Sequence, residues 1–114
     1  MTESLRTALV AAITDAKVDI RLSEDKTNNY PFVTYEMTVA PVRDKDGVAY
    51  YTGDTIIRVV SDDFETADAI RATVETAVEG MAGAQYSVRL ITSDKDCLND
   101  IWTLELNYQL RQFS

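Results

Sequence analysis

The sequence predicts an α+β fold: one mostly antiparallel sheet with two helices packed on one face, in the order α-β-β-β-α-β-β, with a projecting β-hairpin. Three observations predict it. Two segments repeat their apolar residues on a helical period. Other segments alternate apolar and polar residues, as half-buried strands do. A turn signature, "DKDG", separates two of those alternating runs. With 114 residues, a single domain over 1–114 is expected. The chain carries no repeat, low-complexity segment or internal linker.

The first helix rests on Leu5, Ala8, Leu9, Ala12, Ile13 and Ala16, which form one apolar stripe. Thr2 is the candidate N-cap, with Glu3 favourably placed in the first turn. "VDIRL" follows, with Val18, Ile20 and Leu22 on one face of a short strand, and "SEDKTNN" reads as a surface loop. In "YPFVTYEMTVAPV", Val33, Tyr35, Met37 and Val39 alternate with Thr34, Glu36 and Thr38. Its partner, "VAYYTGDTIIRVV", is rich in β-branched and aromatic residues. The second helix takes its stripe from Phe64, Ala67, Ile70, Val74, Val78 and Met81. Asp62 and Glu65 are spaced as a capping box, and Gly80 or Gly83 is expected to end the helix in a left-handed conformation. "QYSVRLIT" and "IWTLELNYQL" supply the closing strands, with "SDKDCLND" as a solvated loop between them. Trp102 alternates with core residues and is assigned to the core.

The register of the central hairpin follows from matching faces. A two-residue turn at Asp46-Gly47 would place Tyr35 opposite Arg58, apolar against charged. A three-residue loop, Lys45-Asp46-Gly47, pairs Asp44 with Val48. It sets Val33 opposite Val59, Tyr35 opposite Ile57 and Val39 opposite Gly53, and the apolar faces then agree. Pro41 cannot donate to a ladder, so the arm is expected to leave the sheet beyond Pro41 and Gly53. Val42, Arg43, Asp44, Lys45, Asp46, Gly47, Tyr50 and Tyr51 are therefore candidates for a subunit or partner interface.

Composition excludes several chemistries. Histidine is absent, which removes Ser-His-Asp and Cys-His catalysis and zinc sites built on imidazole. The one cysteine, Cys97, permits no internal disulfide and lacks the usual helper of a nucleophilic thiol. No phosphate loop, dinucleotide fingerprint or nucleophile elbow occurs. "DKDG" fails as a calcium loop, because Val48 falls where an oxygen ligand is required and Thr55 where a carboxylate is required. "DKDCLND" fails too: Leu98 replaces a ligand and Asn99 the glycine. No cofactor, metal or enzymatic activity is expected. A formal charge of −8 without a basic cluster argues against specific nucleic-acid binding. No apolar run is long enough for a membrane helix. The N-terminus lacks a signal-peptide pattern, so intracellular synthesis is expected. Helix two carries Asp62, Asp63, Glu65, Asp68, Glu75 and Glu79 against Arg71 alone. These acids form either a solvated face or a negative surface turned towards the interior of an assembly.

The chain resembles the tail terminator, or tail completion, proteins of long-tailed bacteriophages. The resemblance rests on "LRTALVAAI" followed by a short strand, on "YPFVTY" opening the first long strand, on "DTIIRVVSDDFETADAI" running into helix two, and on two closing strands. It spans nearly the whole chain. It implies a non-enzymatic virion protein, assembled in the host cytoplasm and sited at the head-proximal end of the tail. It also implies a ring, commonly a hexamer, that caps the tail tube and offers a surface for head attachment, through whose lumen DNA passes. The implied partners are other copies of itself, the tail tube protein and a neck or head-completion protein. A phage neck (head-tail joining) protein of related architecture, or a small cytosolic ligand-binding domain, are the alternatives.

Overall fold

A computed structural model describes residues 1–14, 18–23 and 29–113. Its elements run α1 (Thr2–Ala12), β1 (Asp19–Leu22), β2 (Phe32–Asp44), β3 (Gly47–Ser61), α2 (Phe64–Glu79), β4 (Tyr86–Leu98) and β5 (Ile101–Phe113). This is the expected α-β-β-β-α-β-β order. The five strands form one sheet in the order β1-β2-β3-β5-β4. Only the β1–β2 pair is parallel; the other three pairs are antiparallel. Both helices lie on one face. There Leu5 and Leu9 of α1 and Ala67, Val74 and Val78 of α2 join Val33, Tyr35, Ile57, Val59, Leu104, Leu106 and Leu110 in a single core. The stripes that define the helices are thus the surfaces they bury.

Helix α1 packs its first turn directly on the sheet. Gly53 is buried beneath it, and a Cβ at that position would stand 2.5 Å from the Met1 sulfur and 3.0 Å from the Met37 sulfur. Glycine here provides close approach, not the departure of an arm. The expected cap Thr2 is already helical; Met1 is the N-cap residue and makes no side-chain cap. Ala16 lies outside the described residues, as does most of the expected loop after β1. In β1 the phase differs from expectation. Arg21 is buried and Leu22 is exposed. The Arg21 guanidinium pairs with Asp19 at 3.5 Å, donates to the Asn29 carbonyl at 3.2 Å and stacks 3.8 Å over the Phe32 ring. Those contacts compensate a buried cation that the alternation rule, blind to partners, assigns to solvent.

The body of the β2–β3 hairpin has the predicted register: Val33↔Val59, Tyr35↔Ile57 and Val39↔Gly53. Its tip differs. Asp44 pairs with Gly47, not Val48, so the turn has two residues, Lys45 and Asp46. The Asp44 carboxylate accepts from the Asp46 amide at 2.8 Å, and Gly47 takes φ +118°. One extra residue is absorbed lower down, because Val42 pairs with Tyr50 while Arg43 pairs with Val48. The bulge therefore sits at Ala49 rather than in the turn. The arm also stays with the sheet further than Pro41 and Gly53, since β5 accompanies β3 up to the Tyr50↔Phe113 pair.

Helix α2 is capped one residue later than the capping-box spacing suggests. Asp63, not Asp62, accepts from the Thr66 amide at 3.1 Å and the Thr66 hydroxyl at 2.7 Å. Ser61 in turn accepts from the Asp63 amide at 3.1 Å. Gly80 closes the helix at φ −66°, so it keeps right-handed helical geometry. The last two strands are longer than expected. The segment expected to be a loop, "SDKDCLND", is mostly strand, and its turn is only Asn99-Asp100, both with positive φ. Asn and Asp tolerate that conformation better than other non-glycine residues. Cys97 is thus an exposed strand residue opposite Trp102. Trp102 packs half-buried against the core, with its ring 4.8 Å from that of Phe64.

Candidate interaction surfaces

The residues singled out in the sequence fall on two surfaces. At the β2–β3 tip, Arg43, Asp44, Lys45, Asp46 and Gly47 are all exposed, and Val42 is half-buried. Tyr50 and Tyr51 are neighbours in a strand, so their rings leave on opposite faces. Tyr51 is exposed. Tyr50 is half-buried, with its ring 6.3 Å from Phe113 and 5.4 Å from the Arg111 guanidinium. The two tyrosines therefore cannot form one grip. Only the short piece from Arg43 to Ala49 projects past the end of β5.

The acidic residues of α2 divide by use. Asp63 caps the helix, and its two hydrogen bonds from Thr66, side chain first and backbone second, hold its carboxyl below the usual aspartate range. Asp68 and Glu75 bracket Arg71 at 3.0 and 2.8 Å, and these bonds, Glu75 foremost, raise the Arg71 pKa. Asp62, Glu65 and Glu79 are exposed. Glu65, Asp68, Glu75 and Glu79 lie within about 80° of one another around the helix, so they form a genuine stripe. It runs along the flank of α2 beside the core. Beneath that flank, burial first, and then Glu75 and Glu79, push the Tyr108 hydroxyl up to about 12.

No catalytic or metal-binding constellation was expected. Among the described residues no group of three His, Cys, Asp or Glu is placed to hold a metal ion. The space between helices and sheet is filled by core side chains. A groove of about 500 Å³ opens at the mouth of the helix pair, between Ala12, Ile13 and Val18 on one side and Thr66, Ile70 and Thr73 on the other.

The sheet face away from the helices was not singled out in the sequence. On it Arg58 bridges Glu105 at 3.1 Å and Glu36 at 4.0 Å, and Asn107 donates to Thr92 at 2.9 Å. β4 shifts register between Leu90 and Thr92. That bulge reverses the phase of the strand. Before it, Arg89 faces the open side; beyond it, Asp94, Asp96 and Leu98 do, each opposite an odd-numbered residue of β5. The adjacent apolar pair Leu90-Ile91, out of step with strict alternation, is the sequence signal of this shift.

No protein-family model and no curated protein match the sequence. Solved structures do match the fold. A chain of the virion of a native gene transfer agent particle superposes with a TM-score of 0.70 at 21% identity, covering 99% of this chain and 91% of its own. The gp17 protein of bacteriophage SPP1 superposes with a TM-score of 0.52 at 18% identity, covering 99% of this chain and 90% of its own. The architecture inferred from the sequence is thus found, end to end, in a virion component and in a bacteriophage protein.

Proposed function

We propose that this chain is a structural virion protein that assembles into a ring, commonly a hexamer, capping the tail tube and presenting the surface to which the head attaches. The observation that carries the reading is the likeness to a gene transfer agent virion chain, which extends over 99% of this chain. In this reading the partners are further copies of the chain, the tail tube protein and a neck or head-completion protein, and the site is the head-proximal end of the tail. The Arg43–Ala49 projection reaches a neighbouring subunit, joined by Val42, Tyr50 and Tyr51 at its base. Rings are built from heterologous contacts, in which one patch meets a different patch on the next copy, and a projecting arm suits that geometry. The acidic face of Asp62, Asp63, Glu65, Asp68, Glu75 and Glu79 is turned to the lumen and repels DNA enough to let it slide.

Light scattering and negative-stain microscopy test the ring, with the protein alone and with isolated tail tubes. Closed rings seated on tube ends are expected. A strict monomer in both settings refutes the reading, and rings that bind heads but never tubes indicate a neck protein instead. Removing Arg43–Val48 and closing the arms with a two-residue turn is expected to preserve the melting transition and weaken assembly. Unchanged assembly removes the arm from the interface.

A further inference from the structure

The open face of the sheet is electrically divided. At the end near the β2–β3 tip it carries Arg89 and Arg111, both exposed, beside Phe113, which is 46% exposed. Strand registers place them together: Arg111 lies opposite Ser87, Arg89 opposite Gln109, and Phe113 opposite Tyr50. At the other end it carries Asp94 and Asp96 beside Leu98, which is 70% exposed. Asp94 stands directly opposite Glu105, and Asp96 opposite Thr103. Arg58 is committed to Glu36 and Glu105, so the charge of the two aspartates is not answered by it. From Thr103 to Arg111 the strand rises about 27 Å. The two ends are too far apart to neutralise each other within one molecule.

Each end combines an exposed apolar side chain with a charge pair, and the two pairs are of opposite sign; exposed Asp54, opposite Gln109, leaves the basic end with a net positive charge of one. We infer that the open face is a docking surface for a second copy of this chain, the Arg89–Arg111–Phe113 end of one copy meeting the Asp94–Asp96–Leu98 end of the next. The charge complementarity selects the occupant: an unrelated partner would have to match both ends separately, whereas a second copy matches each end by construction. Because both ends lie on one face, two copies stacked antiparallel fill both and close as a dimer, whereas an offset contact leaves one end of each kind unfilled and propagates until the assembly closes. The phase reversal at the β4 bulge creates the acidic end, because without it Asp94 and Asp96 would point to the helix side. The inference rests on the reading that the chain self-assembles, and it locates one of the contacts.

Two charge-reversal variants of the full chain test it, R89E/R111E and D94K/D96K. All four positions are exposed, and circular dichroism verifies folding. Analytical ultracentrifugation at low salt is expected to show each variant alone associating about tenfold or more weakly than the parent, since like charges then meet. An equimolar mixture of the two is expected to recover association, because the acidic surface of one faces the basic surface of the other at both ends. If either variant assembles as the parent does, or the mixture stays dissociated, the inference is overturned, while the mass of the parent assembly still decides whether a ring forms. If the parent is monomeric alone and on tail tubes, the self-assembly reading falls and this inference with it.

Discussion

Replacing Tyr108 by phenylalanine is expected to stabilise this protein. The side chain is 2% exposed, and its hydroxyl is buried without a hydrogen-bond partner among the described residues. Leaving a buried polar group unsatisfied costs about 1–3 kcal/mol. Phenylalanine keeps the ring and its packing in the Leu104, Leu106 and Leu110 row and removes the orphaned group. The small void left by one oxygen offsets part of the gain, so a net stabilisation of about 1 kcal/mol at pH 7 is expected.

The same burial makes a second, independent demand. The Tyr108 hydroxyl is pushed up to about 12 by desolvation, with Glu75 and Glu79 adding to it. In the unfolded chain a tyrosine ionises near 10. Above pH 10 the unfolded state therefore holds fewer protons than the folded one, and stability falls as pH rises towards the folded value. Below pH 10 the effect is absent. At pH 11 the parent has lost on the order of 1 kcal/mol that the phenylalanine variant retains. Urea denaturation of both proteins at pH 7 and pH 11 measures the two gaps, and the other tyrosines cancel in the difference. A variant less stable than the parent at pH 7 would show that the hydroxyl has a partner. A gap that does not widen at pH 11 would show that Tyr108 is not desolvated, and either result refutes the packing of α2 over β5 described above.

The remaining expectations are simpler. Asp63→Ala removes the cap on α2 and lowers the midpoint of chemical denaturation, whereas Asp62→Ala leaves that midpoint unchanged. Because the Asp63 carboxyl is held below its usual range, the cap contributes above that range and is lost as pH falls through the depressed value. Gly53→Val displaces the flexible Met1 thioether and crowds that of Met37, at a cost on the order of 1 kcal/mol in thermal unfolding; an unchanged melting temperature would show that both side chains move aside freely.

Periodicity made the core legible. Alternation assigns Val33, Tyr35, Ile57, Val59, Leu104, Leu106, Tyr108 and Leu110 to the core, and all are buried; Trp102, on the same face, is half-buried. The same rule failed at Arg21, at the α2 cap and along β4, and each failure has its own cause. Arg21 is buried because Asp19, Asn29 and Phe32 receive it, and pattern alone does not see partners. Asp62 and Asp63 are adjacent and equally able to cap, so the choice falls to where β3 ends and Ser61 takes the Asp63 amide. The β4–β5 turn contains neither glycine nor proline, so a charged, polar stretch that is in fact a strand reads as a loop. The Ala49 bulge shows the opposite case: the register of the hairpin body was right although the position of the extra residue was not, because matching apolar faces constrains the sum and not the place. The open-face surface was hidden for a related reason, since one bulge at Ile91, marked only by the adjacent Leu90-Ile91 pair, decides which side Asp94 and Asp96 take.

The lengths of the elements bear on why such a sheet exists. β2, β3, β4 and β5 have 13, 15, 13 and 13 residues, and α1 and α2 have 11 and 16. The strands thus run about 44–51 Å, while the helices span about 16 and 24 Å. The long axis of the molecule is 52 Å, the length of the strands and not of the helices. Neither helix covers more than about half of a strand, and the surplus sheet has two bare faces. Val39 and Tyr51, at the β2–β3 end, are exposed in that surplus. Bare two-stranded ribbon contributes little to a monomer's stability, since strand pairs need a packed face to persist. A fold selected only to be stable alone would trim its strands to its helices. Strands that overrun their helices at the β2–β3 end, with Val39 and Tyr51 bare there, have the proportions that the proposed assembly calls for.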